Sequence, residues 1–135
     1  MKVQISTEYA IKILQYMHET SGRLWTAMDI AKGAGITYPF FIKIANTLKK
    51  GGLISSVQGR NGGYRLKKKA HEITIYDVFL CIEGELKISH CLQIGQPCAE
   101  EDKHDCYANQ FFCKLKNTLI LQMTEQTIAS LSKAG

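Results

Sequence analysis

Four of the five cysteines of this 135-residue chain follow one another closely in its second half. Cys91, Cys98, Cys106 and Cys113 are separated by six, seven and six residues. Cysteine thiolates bind metals and form disulfides, but these intervals match neither a tight Cys-x-x-Cys zinc knuckle nor a common ferredoxin pattern. The spacing therefore indicates metal or redox chemistry without choosing between them. The fifth cysteine, Cys81, lies in the apolar stretch FLCI and is expected in the core.

The expected cellular setting is the cytoplasm, with no membrane association. No apolar run approaches the roughly 20 residues that a bilayer-spanning helix needs. The opening stretch MKVQISTEYAIKILQYM has too many polar groups for a secretory leader. Cysteines of cytosolic proteins rarely form structural disulfides, and five cannot pair completely within one chain.

Charge is distributed unevenly between the two halves of the chain. Residues 1–70 hold 12 Lys and Arg against 3 Asp and Glu, whereas residues 71–135 hold 5 against 9. Neutralising phosphates and releasing their counterions supplies most non-specific nucleic-acid affinity. The basic half is therefore expected to bind a polyanion, whereas the acidic half is expected to have a different role.

Three helices are predicted in the basic half. Ser6 and Thr7 can cap a first helix ending near Ser21. Thr26 begins a short second helix that ends at the glycine turn 33–35, and the third helix runs from Thr37 to the glycines at 51–52. Two short helices joined by such a turn form a helix-turn-helix, whose second helix enters the major groove of DNA. The outward residues of that helix would be Tyr38, Pro39, Lys43, Asn46 and Thr47.

The stretch after the third helix predicts a β-hairpin with a basic tip. Leu53–Val57 and Tyr64–Leu66 have strand composition, and a glycine-rich turn separates them. A helix-turn-helix followed by such a hairpin is a winged helix. The wing would direct Arg60 into a minor groove and hold Lys67–Lys69 near phosphates.

The rest of the chain predicts two further helices around a polar loop. Thr74 and Asp77 form a capping box for a helix that ends at Gly84. A final helix over residues 105–135 is too long and too apolar to be exposed to water as a single helix, so we expect it to pair with a second copy of the chain. Two-fold pairing would place the recognition helices on half-sites about 34 Å apart, or a multiple of that, on double-stranded operator DNA.

The predicted fold class is mostly α with a small β-hairpin: a winged helix-turn-helix followed by a long C-terminal dimerisation helix. The predicted regions are residues 1–70 for DNA binding, 71–104 for a connecting helix and cysteine-bearing sensor loop, and 105–135 for dimerisation. No nucleophile–base constellation, phosphate loop or His-Glu metal motif accompanies them, so an enzyme is not expected.

The sequence resembles the IscR, NsrR and CymR group of bacterial regulators, often called the Rrf-two family, over nearly its whole length. The segments that carry the resemblance are STEYAIKIL at 6–14, DIAKGAGIT at 29–37 and FFIKIANTLKKGGLISSVQGRNGGYRL at 40–66. The cysteine loop before a long last helix also matches. The resemblance implies a winged-helix dimer that regulates transcription, and in many members the loop cysteines bind an iron-sulfur cluster.

The resemblance also implies particular site residues. Cys91, Cys98 and Cys106 match the family's three cluster ligands in order, at slightly longer intervals, which leaves both [2Fe-2S] and [4Fe-4S] open. Some relatives have a histidine ligand where this chain has Asn109, whereas others use a carboxylate of the partner subunit, and Glu8 stands at that position. The residues expected to contact DNA are Thr37, Tyr38, Pro39, Lys43, Asn46, Thr47, Lys50, Gln58, Arg60, Asn61 and Arg65.

Several alternatives stay open. His90, His104 and Asp105 flank the cysteines and could ligate a metal, whereas Cys113 is interpreted as a packing or dimer-interface thiol. The same DNA-binding dimer could instead be switched by reversible disulfide chemistry or by zinc. A small redox or iron-sulfur carrier is the alternative from another class, but it would leave the wing unexplained.

Overall fold

The structure, a computed structural model, describes residues 2–18, 24–88 and 107–132. The first helices are α1 (Ile5–His18), α2 (Ala27–Ala34) and α3 (Tyr38–Lys50). Strands β1 (Ile54–Val57) and β2 (Gly63–Leu66) follow, and then a short 3-10 helix (Ala70–Glu72). The chain continues with α4 (Ile75–Glu83), α5 (Tyr107–Glu125) and α6 (Ile128–Ser132).

Helices α2 and α3 form the predicted helix-turn-helix, and local hydrogen bonds define its ends. The Asp29 amide donates to Thr26 Oγ1 at 3.1 Å, and the Phe40 amide donates to Thr37 Oγ1 at 3.3 Å. Gly35 ends α2 in a left-handed conformation, with φ of 73°. Because glycine adopts positive φ without steric cost, the turn between the two helices is encoded locally. The predicted helix starts are confirmed.

Apolar side chains of α1, α2 and α3 meet in one core. Ile13, Leu14, Ile30, Phe41 and Leu48 are fully buried there. Burying each such side chain contributes about 1.5–3 kcal/mol, which is what fixes the orientation of α3 on the domain. The outer face of α3 is thereby left to solvent.

The β-hairpin is also confirmed. Strands β1 and β2 pair antiparallel, with Ile54 opposite Leu66 and Val57 opposite Gly63. The other edge of β2 pairs with Trp25, whose backbone exchanges hydrogen bonds of 2.8 and 2.7 Å with Tyr64. This pairing ties the base of the wing to the chain that enters α2.

The start of α1 differs from the prediction that Ser6 and Thr7 cap it. The helix begins at Ile5, so both residues lie inside its first turn. Thr7 is buried, and its hydroxyl donates to a carboxylate oxygen of Glu83 at the end of α4. The Gln4 amide donates to the same oxygen at 3.0 Å. The Thr7 hydroxyl therefore bonds to Glu83, 76 residues away, and does not cap the helix. The predicted end near Ser21 lies outside the described residues.

The predicted final helix over 105–135 is two helices in the structure. Helix α5 ends at Glu125, and the chain then pairs with residues 73–75, where α4 begins. The Ile75 amide donates to the Gln126 carbonyl, and the Ile128 amide to the Ile73 carbonyl, both at 2.9 Å. The side chain of Ile128 is fully buried in the core of the first half. The end of the described chain thus packs on the winged helix and does not continue α5.

Candidate nucleic-acid interface and sensor residues

The outward face of α3 presents most of the residues predicted to contact DNA. Thr37, Tyr38, Pro39, Lys43 and Asn46 are all exposed, and Lys50 is exposed at the end of the helix. Tyr38 has 49% of its surface exposed. The exposed side chains of α3 thus include a phenol, an ammonium group and an amide, which can reach base edges and phosphates.

Thr47 is placed differently from the other predicted contacts. It is half-buried, and its hydroxyl donates to the Lys43 carbonyl at 3.3 Å. Its own carbonyl accepts a hydrogen bond from the thiol of Cys81, at 3.3 Å from Sγ. Thr47 therefore lies where the recognition helix meets α4.

The tip of the wing exposes the remaining polar candidates. Gln58, Arg60 and Asn61 are exposed in the turn, and Arg65 is exposed on β2. The turn is closed by a 3.1 Å hydrogen bond from the Gly62 amide to the Gly59 carbonyl. A Cβ at Gly62 would overlap the Val57 backbone, so a narrow tip requires glycine at this position.

Lysines near α3 and the wing form no salt bridge with acidic residues of the described chain. Lys49 and Lys50 end α3, and Lys67–Lys69 follow the wing; all are exposed. Within residues 2–18, 24–88 and 107–132, the single salt bridge joins Lys116 to Glu85 at 3.3 Å, far from this surface in the chain. The cations of α3 and the wing are therefore available to an external polyanion.

The three cysteines implied as cluster ligands, Cys91, Cys98 and Cys106, lie outside the described residues. The same is true of the flanking candidates His90, His104 and Asp105. Across the described part of the chain, no group of three His, Cys, Asp or Glu side chains lies close enough to hold a metal ion.

Glu8 is the one implied ligand that the structure describes. It is exposed in the first turn of α1, beside an open cavity of about 650 Å³ lined by residues 2–6. Its carboxylate is thus accessible to a second molecule. An acidic side chain at this position also interacts favourably with the dipole of its own helix.

Cys81 and Cys113 both lie at helix contacts. Cys81, on α4, contacts the end of α3, and burial raises the pKa of its thiol. Cys113 is half-buried on α5, with Sγ 3.3 Å from Asn109 Oδ1. Asn109, which stands at the position of a histidine ligand in some relatives, is itself buried. Cys81 therefore packs against the core, as the apolar stretch FLCI predicts. Cys113 is half-buried, and its interpretation as a packing or dimer-interface thiol stays a prediction.

Glu83 was not singled out by the sequence. Its carboxylate joins the end of α4 to the start of α1, the helix that carries Glu8, through Thr7 and Gln4. A local signal for it is lacking, because the bonded residues lie more than 70 positions apart. Only the folded chain brings them together.

Comparison with known proteins decides the family. The model of the Rrf2 family, described as iron-dependent transcriptional regulators, matches residues 3–134. The chain belongs to the Rrf2 family. It is 33% identical over 135 residues to the protein aau3 of Rhizobium meliloti, covering 99% of this chain and 86% of that one. It is also 30% identical over 133 residues to the transcriptional regulator NsrR of Shouchella clausii, covering 93% and 84%.

The architecture agrees with this assignment. The structure of CymR, the global cysteine regulator of B. subtilis, superposes with a TM-score of 0.79 over 100% of this chain and 98% of that one, at 17% identity. At that identity the likeness shows the fold, a winged helix with a C-terminal helical extension. By its family, this Rrf2 protein is a transcriptional regulator and not an enzyme. Among the described helices, none is both long and apolar enough to span a membrane.

Proposed function

We propose that this Rrf2 protein binds double-stranded operator DNA as a homodimer, with α3 in the major groove and the wing in the adjacent minor groove. The observation that carries the proposal is that α3 and the wing tip both expose basic and polar side chains, whose cations are not neutralised by ion pairs within the described residues. The DNA-binding role agrees with the cytoplasmic location expected from the sequence.

The exposed residues divide into two roles. Tyr38, Lys43 and Asn46 lie on the outward face of α3 and would contact base edges, whereas Arg60 would enter the minor groove from the wing. Thr37 and Pro39 begin the helix, and Gln58 and Asn61 flank Arg60. Residues placed for phosphate contact are Lys50, Arg65 and Lys67–Lys69. Thr47 would act through its half-buried position, holding the end of α3 against α4.

Homodimerisation would use α5. Its exposed apolar residues include Tyr107, Phe111 and Leu115, which recur every four residues, and Leu121. Tyr107 is 80% and Phe111 59% exposed. Such a stripe is costly in water and typical of a helix that packs on another copy. A two-fold dimer predicts a near-palindromic operator.

DNA binding is tested with a duplex selected from a random pool, in fluorescence anisotropy titrations at several salt concentrations. Replacing Arg60 with alanine should weaken binding about tenfold or more, because both a groove contact and a charge are lost. The salt dependence of log K should fall by about one counterion. The matched control is Lys87→Ala, an exposed cation on the chain after α4, which should change affinity less than twofold. Equal effects of both substitutions would contradict the wing assignment.

We further propose that DNA binding is controlled by an iron-sulfur cluster bound by Cys91, Cys98 and Cys106, with Glu8 of the partner subunit as a further ligand. The support is the family description as iron-dependent and the accessible carboxylate of Glu8. A cluster would make the loop responsive to oxygen, nitric oxide or iron supply.

Anaerobic purification followed by iron, acid-labile sulfide and zinc analysis, with a visible spectrum, tests the cluster. Iron and sulfide in matched amounts, lost on substitution of any of the three cysteines, would support it. The ligand role of Glu8 requires that Glu8→Ala alter the spectrum or lifetime of the cluster while Glu8→Gln, which keeps an oxygen ligand, alters it less. Iron-free protein that cannot be reconstituted would replace this proposal with a zinc or reversible disulfide switch, to be identified by mass spectrometry of trapped thiols.

A further inference from the structure

A cavity of about 470 Å³ opens at the base of the wing, away from the tip. Its apolar surface comes from Met17 on α1, Leu66 on β2, Ala70 on the 3-10 helix and Ala129 on α6. Four separate elements thus line the cavity, including α6, the last described helix. Ligand pockets of proteins have volumes of about 300–1,000 Å³ and mostly apolar linings, so this cavity is of ordinary size for a small molecule.

Among the described residues, the polar part of the lining is made of basic side chains. It comprises His18, Arg65, Lys67, Lys68, Lys69 and His71. None of the described residues that line the cavity is acidic. The nearby carboxylate of Glu72 is used within its own 3-10 helix, where it accepts a hydrogen bond of 3.2 Å from the Lys69 amide. The cations around the opening repel one another, and an anion bound among them would relieve that repulsion.

We propose that this cavity binds a small organic anion, with a phosphate or carboxylate group at the basic rim and an apolar body against Met17, Leu66, Ala70 and Ala129. A DNA backbone would fit the rim but not the interior, because its sugars and phosphates would leave the apolar surface uncovered. The combination of a concave apolar floor and a cationic rim is the reason for choosing a small molecule over nucleic acid. The rim shares Arg65 and Lys67–Lys69 with the DNA phosphate contacts proposed above, so an anion bound here would compete with DNA for these cations. The site does not depend on the proposed cluster-binding role.

Isothermal titration calorimetry of the full chain without DNA tests this site, with phenyl phosphate, inorganic phosphate and phenol as probes. Phenyl phosphate should bind more tightly than inorganic phosphate, and phenol should not bind measurably. Ala129→Leu fills the floor without changing charge, and Lys68→Glu reverses one rim charge on an exposed loop. Each should weaken phenyl phosphate binding about tenfold, whereas the control Lys87→Glu should change it less than twofold.

Three results would overturn the proposal. They are equal weakening by Lys87→Glu and Lys68→Glu, which would indicate non-specific attraction to net charge; unchanged binding in folded Ala129→Leu; and no binding of phenyl phosphate at all. If Ala129→Leu does not fold, the comparison of Lys68→Glu with Lys87→Glu still tests whether phenyl phosphate binds at the rim. Loss of duplex DNA affinity in Lys68→Glu, without phenyl phosphate binding to the wild type, would assign these cations to DNA phosphates instead.

Discussion

The contact between Gly51 and Cys81 allows a quantitative test of how α4 holds the recognition helix. Gly51 directly follows α3, and a Cβ added there would overlap Cys81 Sγ. Its φ of −78° and ψ of −3° are ordinary right-handed values that alanine adopts freely. The cost of Gly51→Ala is therefore steric, and overpacking of this kind costs about 1–3 kcal/mol of unfolding free energy. Rotating Sγ away would relieve the overlap but lose its hydrogen bond to the Thr47 carbonyl.

The double mutant isolates that steric cost. Removing Sγ with Cys81→Ala leaves the Cβ of residue 81 at 3.3 Å from the added methyl group and the Leu48 carbonyl oxygen at 3.7 Å, separations that a small shift accommodates. In this background Gly51→Ala should cost about 0.5 kcal/mol or less, which gives a coupling energy of about 1–2 kcal/mol between the two positions. Urea unfolding of the four proteins, with unchanged m-values, measures it.

Gly52 provides the matched control one residue further along. Its φ is 77°, and nothing lies within 4 Å of an added Cβ. Gly52→Ala should therefore cost about 1–2 kcal/mol through the backbone alone, by the same amount with or without Cys81. If Gly51→Ala also costs the same in both backgrounds, the Gly51–Cys81 contact does not limit the approach of α4 to α3, and the reasoning fails.

Three further predictions concern stability and thiol chemistry. Ile128→Ala should reduce the unfolding free energy by about 2–5 kcal/mol because Ile128 is fully buried, and a loss below about 1 kcal/mol in urea unfolding would place α6 off the core. Thr7→Val should cost about 1–3 kcal/mol by depriving Glu83 of its hydroxyl partner, and less in a Glu83→Gln background. The thiol of Cys81 should react with iodoacetamide more slowly at neutral pH than the same cysteine in the unfolded chain, since burial raises its pKa and lowers its thiolate fraction. Its rate should rise toward the unfolded-chain value in alkaline solution, which mass spectrometry of the Cys81 peptide would follow.

The parts of the fold that local chemistry encodes were predictable from the sequence. Thr26 and Thr37 cap their helices as expected, and the capping box of α4 is formed in both directions, with Thr74 and Asp77 joined by two 3.0 Å hydrogen bonds. The glycines of the wing turn have backbone conformations or contacts that favour glycine. Each of these signals operates within a few residues, so one sequence suffices to interpret it.

The end of α5 shows where this approach fails. The apolar repeat continues from Leu119 past Ile128, so periodicity alone extends the helix. The chain leaves the helix because Gln126 and Ile128 form backbone hydrogen bonds with Ile75 and Ile73, where α4 begins. A local signal did exist: Thr127 and Ser130 cap each other, with hydrogen bonds of 2.8 and 3.0 Å between backbone amides and side-chain oxygens. In the sequence this capping signal competes with an apolar pattern that continues the helix. Only the contact with residues 73–75 shows that the cap prevails.

Helical periodicity predicts which candidate DNA contacts are exposed, but not how much of each residue other elements cover. Helical periodicity separates the outward face of α3 from the buried face, and it correctly exposes Tyr38, Lys43 and Asn46. It also places Thr47 outward, but α4 covers part of that residue. Contacts between elements distant in sequence decide how much of each face remains available.

Helix α4 contacts both the first helix and the recognition helix, and it precedes the cysteine-bearing segment in the sequence. It also packs against α5. Its thiol at Cys81 bonds to the end of α3, and its carboxylate at Glu83 holds the start of α1. If the cysteine-bearing segment senses a signal, a shift of α4 would change both attachments, since Cys81 and Glu83 belong to the same helix. The Gly51–Cys81 coupling energy would then measure one of the attachments through which sensing acts, and its value should differ between the loaded and empty forms of the loop.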